Sequence, residues 1–417
     1  MSDRGTHRPA VIAGHAAKFD AQGALRPWTS WNEALDLEMD FYQQCPQDHG
    51  YPRFVLTTFL DGDWIPIADR TDTIPATQNG MGILSYLKFH ELRAKQDARV
   101  LRTARAMGDY LVNETLTPAS GEYAAFTRST GKRDQFPLSP DCGSQADRPH
   151  EIEPDKGGIA GHALARLFAA TGEGRYLAQA LQNARVLAAL QQDGDASRSP
   201  WPFRADYRNG AGRGPVSGNM TYILRLFDDL LAHGYAEFAA PRRSLWQWIK
   251  EYQIPSAAGD GALFAQFFED HDTPTNRTAW APLNLARYLL EHRESVDPEW
   301  RADSAVLVEF VHANFTHAEF GITVCHEQDE DRQAWGGINS TYGAVLALYA
   351  HATGSAALAE EARRALDFTL YSIDERGRPR DLFSNPAPGG WQEDAHTDVI
   401  HNYVDALRAF PDWGAER

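Results

Sequence analysis

The sequence predicts an all-α protein, an (α/α)6 toroid with long loops and a short β-hairpin at its rim. Three observations carry that prediction. A pattern of about sixty residues recurs along the chain. Within each period an uncharged helical stretch is followed by an amphipathic one, the signature of a buried helix beside a solvent-facing partner. The long connections all run from an amphipathic stretch to the next uncharged one, which puts them at one end of the ring.

Taken in order, residues 30–44 read as an amphipathic helix, the outer partner that closes the ring beside the last inner helix. Residues 51–69 alternate like strands, punctuated by Pro52, Gly62 and Pro66, and read as the rim hairpin. An inner helix fits 79–93 and an outer one 97–113. Five motifs then open five apolar stretches: Gly-Gly-Ile-Ala-Gly-His at 157–162, Ser-Gly-Asn-Met-Thr-Tyr at 217–222, Asn-Arg-Thr-Ala-Trp at 276–280, Gly-Gly-Ile-Asn-Ser-Thr-Tyr at 336–342 and His-Thr-Asp-Val-Ile-His-Asn-Tyr at 396–403. Gly158, Gly218, Thr278, Gly337 and Thr397 are equivalent points, spaced by 60, 60, 59 and 60 residues on subtraction of their numbers. Breakers separate inner from outer helices at 171–174, 296–298 and 352–355. The count is six inner helices, with a seventh hairpin as the alternative, in one catalytic domain spanning 1–417.

Composition narrows the function. A net charge of −17 argues against nucleic acid and anionic membranes as partners. Cys45, Cys142 and Cys325 are far apart and match no zinc spacing, so they read as free thiols of a reducing compartment. The first twenty residues lack the apolar core of a signal peptide, and no run is long enough to span a membrane. The expectation is a cytoplasmic protein, or a periplasmic or secreted one if a leader precedes this sequence. Eleven Trp are a generous supply of flat apolar surface, which sugar sites use.

The motif ends gather Tyr, His, Asn and Arg rather than a facing pair of carboxylates. Glycoside hydrolysis needs two carboxyl groups across the bond. β-Elimination of a polyuronate needs a group to neutralise the C6 carboxylate, a base for the C5 proton and an acid for the leaving O4. Asn219, His271 and Arg277 are candidates for the first task; Tyr342 and Tyr222 are candidates for the others. Asn339 precedes Tyr342 by three residues, as Asn219 precedes Tyr222, which also fits a capping motif. His401 reads more readily as a core histidine than as a site residue, and it stands with Tyr403 and Asn339 among substrate contacts. The connections supply Trp201, Arg204, Arg332 and Trp335, and the motif at 276–280 supplies Trp280, as sugar platforms and clamps. The acidic run at 326–331 reads as solvated rather than as a metal site, and the mechanism requires no cofactor.

Several segments carry a family resemblance: Trp-Pro-Phe-Arg at 201–204, Leu-Arg-Leu-Phe-Asp at 224–228, Phe-Glu-Asp at 268–270, Ala-Arg-Tyr-Leu-Leu-Glu-His at 286–292 and Asp-Pro-Glu-Trp at 297–300. In that order they resemble α/α-toroid polysaccharide lyases of family 38, which include glucuronan (cellouronate) and mannuronate-type alginate lyases. The resemblance runs from Trp201 to the C-terminus. It implies β-elimination with a Tyr as base and acid, carried over here to Tyr342, and an anionic polysaccharide or oligosaccharide as substrate. On that reading Tyr342→Phe abolishes elimination while the fold survives. Three alternatives stand beside it: a glycoside hydrolase using Asp270, Glu327 or Asp394, a sugar epimerase or isomerase, and a non-catalytic carbohydrate-binding toroid.

Overall fold

The computed structural model describes residues 8–44, 47–48, 50–52, 59–60, 74–93, 97–129, 148, 150–268, 273–379, 391–392 and 396–415. The helices in chain order are α1 (Trp31–Gln44), α2 (Pro75–Leu92), α3 (Ala98–Glu114), α4 (Pro154–Thr171), α5 (Gly174–Leu190), α6 (Thr221–Ala232), α7 (Ala239–Trp248), α8 (Ile254–Ala257), α9 (Trp280–His292), α10 (Trp300–Phe315), α11 (Gly336–Thr353), α12 (Ala356–Thr369) and α13 (His396–Ala409). A π-helical turn, Ile249–Gln253, joins α7 to α8. The chain divides into two compact units, one of residues 1–46, 59–67 and 282–417, the other of 47–58 and 68–281.

In the second unit α2, α4 and α6 pack side by side, α4 in the middle, with α3, α5 and α7 as their partners. Glycines set the approach. A Cβ on Gly80 would lie 2.8 Å from Ile159 Cγ2, and one on Gly158 would lie 3.1 Å from the backbone nitrogen of Ile223. Gly161 meets Leu226 in the same way, so the register between α4 and α6 advances in parallel. The helix α4 ends on Gly172, whose φ of 73° forms the left-handed cap from which α5 departs. The buried residues of α3, among them Val100, Ala104, Met107 and Leu111, mark one face, as an outer helix requires.

In the first unit α11 packs against α12 and α13, and α9 leads into α10. The sequence reading of residues 30–44 holds: α1 packs on α13. Trp31 is buried there, donating from Nε1 to Asp367 Oδ1 at 2.9 Å and stacking on Tyr403 at 5.8 Å. Each unit thus holds three inner helices with their partners among the described residues, which is the count of six.

The strands are short and local. Glu151–Ile152, Arg204–Asp206 and Gly212–Arg213 form a three-stranded sheet with Arg204–Asp206 in the middle. Thr316–Glu319 and Ile322–Cys325 form a hairpin whose inner face packs with Ile12, Leu25, Phe368 and Tyr371. The rim hairpin expected at 51–69 lies mostly outside the described residues. Its described parts pair elsewhere, Tyr51–Pro52 with Gln47–Asp48 and Phe59–Leu60 with Trp391–Gln392. The inner helices begin at residues 75, 154, 221, 280, 336 and 396, so the repeat is less regular in three dimensions than its motifs suggest. The helix α4 starts three residues before its Gly-Gly motif, whereas α6 starts after its Ser-Gly-Asn.

Candidate active site

The helix α4 is apolar except for Lys156 and one stripe. Asp155 and His162 are seven residues apart, and Arg166 follows four later, all on one face. On α6 the corresponding stripe is Tyr222, Arg225 and Asp229. Parallel packing through Gly158 and Gly161 brings the two stripes together. His162 Nδ1 lies 2.6 Å from Asp229 Oδ2. An ionised carboxylate only accepts, so Nδ1 carries the proton and the lone pair of Nε2 is left open. Among the described residues nothing bonds to Nε2. The side chains of His162 and Asp229 are 11% and 18% exposed, shielded yet reachable. The Tyr222 ring stands 6.0 Å from the imidazole, and Arg166 approaches the far oxygen of Asp229 at 3.9 Å. This pair has the parts of a general base: an acceptor nitrogen with a carboxylate that orients it and stabilises the cation formed on protonation.

Two turns toward its N-terminus, α4 holds a buried charge cluster. Glu153, Asp155, Lys156 and Arg204 are all fully buried. The sheet pairing of Ile152 with Ala205 delivers Arg204, whose Nη2 lies 3.2 Å from Glu153 Oε1. Lys156 Nζ donates to Asp155 Oδ2 at 3.1 Å and to the carbonyl of Phe267 at 2.6 Å, and sits 4.0 Å over the Phe267 ring. Two cations and two anions compensate one another, which is what allows their burial. Phe267 stacks at 6.4 Å on Trp280. The same loop strip runs past the start of α6, where Gly218 N donates to Gln266 O. Asn219, next in sequence, is 1% exposed and both its amide atoms lack a partner.

The second unit therefore assembles Tyr222, Asn219 and Trp280 of the sequence-predicted residues. Arg277 sits at the edge of the same strip, bridged to Ala265, with Nη1 donating to the carbonyl of Asp260. His271 lies outside the described residues, as do Asp270 and Asp394. Trp201 is fully buried with its Nε1 donating to Leu187 O at 3.0 Å, so it is a core ring with no face for a sugar. Arg204 is likewise committed to Glu153 in the interior rather than to a ligand.

The first unit holds the remaining candidates. Tyr342 is fully buried and donates to Glu361 Oε1 at 2.7 Å. Burial, and then the Glu361 carboxylate, push its hydroxyl well above the ordinary tyrosine range, the opposite of what a base needs. Asn339 does not cap α11: its amide accepts from Cys325 N and donates to Cys325 O and Trp335 O, tying the helix to the strand before it. Trp335 is buried and donates to Asp331, while Arg332 is exposed. Tyr403 is buried against Thr369 at 2.8 Å. His401 accepts from Arg287 Nη1 at 2.8 Å, which leaves its proton on Nδ1. Arg287 also donates to Asn402, whose amide donates on to Ser340 and Thr341. That network ties α9, α11 and α13 together. His326 is 4% exposed with neither ring nitrogen partnered; burial, with His317 and Arg332 nearby, lowers its pKa to about 4. Among the described residues no cluster of three His, Cys, Asp or Glu side chains gathers as a metal would need.

Sequence reasoning missed His162, Asp229 and Lys156. For the first two the signal was there, as His162 seven residues after Asp155 and Asp229 seven after Tyr222 on two largely apolar helices.

No protein-family model matches the sequence, and no curated protein matches it. Solved structures do. A sugar epimerase from a ruminal bacterium is 11% identical with a TM-score of 0.65, over 91% of this chain and 97% of that one. A D-mannose isomerase is 11% identical with a TM-score of 0.66, over 90% and 97%. A polysaccharide lyase is 14% identical with a TM-score of 0.57, over 91% of this chain and 53% of its own. Such identities speak to fold alone. The fold is all-α, of the α/α-toroid type.

Proposed function

We propose that this protein is a carbohydrate-active enzyme whose reaction begins by removing a proton from the sugar carbon beside a carbonyl group, with His162 as the base. The observation that carries this is the His162–Asp229 pair, oriented through Nδ1 and open at Nε2. The finer reading is β-elimination on a β-1,4-linked polyuronate. His162 takes the C5 proton, the C4–O4 bond breaks as C4=C5 forms, and O4 receives a proton from the Tyr222 hydroxyl. Asn219, buried with free amide atoms, donates to the C6 carboxylate as charge builds there. Phe267, half-buried and stacked on the buried Trp280, offers the apolar surface for a sugar ring.

A second reading shares the first step. Removal of the C2 proton of an open-chain aldose, beside its aldehyde, leads to epimerisation or isomerisation. The whole-length likeness to an epimerase and an isomerase favours it. Hydrolysis would need Asp270, Glu327 or Asp394, of which Glu327 alone lies among the described residues; Asp229, Asp228, Asp155 and Asp405 are each held by a basic side chain. The test is absorbance near 235 nm with glucuronan, polymannuronate, polyguluronate and pectate in turn. A rise with one establishes elimination and its substrate. Flat traces with all four, on folded protein, rule out the polyuronate reading and leave the aldose reading and hydrolysis.

A further inference from the structure

The helix α2 has an apolar interior interrupted by two adjacent amides. Gln78 and Asn79 are 2% and 0% exposed, and all four of their side-chain amide atoms lack a hydrogen-bond partner. Buried polar atoms in native proteins are almost always paired, because an unpaired one keeps the whole cost of leaving water. Two neighbouring residues in that state are not explained by packing, since leucine or methionine would fill the same space without the penalty. The next residue, Gly80, presses on Ile159 and Ala160 of α4. Ile159 precedes His162 by three residues, about 4.5 Å of helix rise. Gln78 and Asn79 precede Gly80, so the amide pair lies about 6–7.5 Å of helix rise from the level of His162. On the other side of α4, Asn219 presents a third buried, unpartnered amide.

We propose that Gln78 and Asn79 are sugar-recognition residues, and that they bind vicinal hydroxyls of the sugar whose carbon faces His162. The inference rests on the carbohydrate reading above. A primary amide presents two donors and an acceptor without charge, which matches hydroxyls that both donate and accept. Neutral groups at this point select the hydroxyl-bearing edge of the ring and leave a carboxylate or carbonyl to Asn219.

Asn79→Leu and Gln78→Met test this by two readouts, thermal melting and saturation-transfer NMR with glucuronan oligosaccharides and with cellobiose as probes. The expected result is a melting temperature equal to or above that of the parent in both variants, with affinity for the bound probe weakened at least tenfold. A fall of several degrees in both variants overturns the proposal, because it gives the amides a structural role. Unchanged affinity also overturns it while leaving the carbohydrate reading intact. If neither probe binds the parent, the carbohydrate reading fails and this proposal falls with it.

Discussion

Replacing His162 and its partner separates the base from the group that supports it. His162→Gln removes the open Nε2 but keeps a polar side chain of similar reach. Asp229 then retains Arg166 at 3.9 Å, so no carboxylate is stranded and the fold should survive. Loss of a general base slows such reactions by about 10²–10⁴-fold. Asp229→Asn keeps the hydrogen bond and removes the charge. With imidazolium and carboxylate centres about 4 Å apart and an effective dielectric of about 20, their attraction is roughly 4 kcal/mol. Asp229 is 18% exposed and shared with Arg166, so about half survives screening. That leaves ~2 kcal/mol, a ~30-fold fall in rate. Initial rates on the active substrate, with circular dichroism to confirm folding, give the comparison. A His162→Gln enzyme within threefold of the parent would refute the assignment. An Asp229→Asn enzyme slower than the His162→Gln one would show that the carboxylate, not the imidazole, does the chemistry.

Other consequences follow from the packed interior. Tyr342→Phe removes the donation to Glu361 and should cost about 1–2 kcal/mol of stability with turnover kept, read by urea unfolding and initial rates. Abolished turnover in a folded variant would restore the role first expected from the sequence. Arg204→Met breaks a fully buried ion pair and leaves Glu153 with Lys156 at 3.9 Å; about 3–5 kcal/mol should be lost, seen as a lower urea midpoint. His326 makes stability depend on pH. Above 6.5 the ring is neutral folded or unfolded and its contribution is complete. As pH falls from 6.5 to about 4 the unfolded chain takes up a proton that the buried ring refuses, so up to ~3 kcal/mol is lost. His326→Phe should flatten that part of the stability profile, and an unaltered profile would contradict the burial argument.

The helical architecture was legible because periodicity is a local property. Alternating uncharged and amphipathic stretches gave the inner and outer helices, and even α1 could be placed as the partner of α13 from the count. Aromatic and charged residues in the connections were not legible. Trp201 and Trp280 both read as sugar platforms, yet both are buried, one under α5 and the other against Phe267 at the start of α9. Arg204 reads as a clamp until strand pairing delivers it to Glu153. Tyr342 shares its spacing with Tyr222, but its hydroxyl turns to Glu361 on an outer helix. The His162–Asp229 pair joins residues 67 apart and depends on glycines that let α4 and α6 close to contact. Only the stripe of polar positions on two apolar helices hinted at it.

The central claim is that a carbon-bound sugar proton is removed by His162. Proton NMR of the reaction in D2O, run with polyuronate oligomers and with free aldoses, tests it most directly. The account predicts loss of the C–H signal beside the carbonyl group, either with a vinylic signal from a 4,5-unsaturated end or with deuterium at C2 of an isomerised sugar, and neither change with His162→Gln. Chain cleavage that keeps every C–H signal would contradict it and return the carboxylates to the centre of the mechanism.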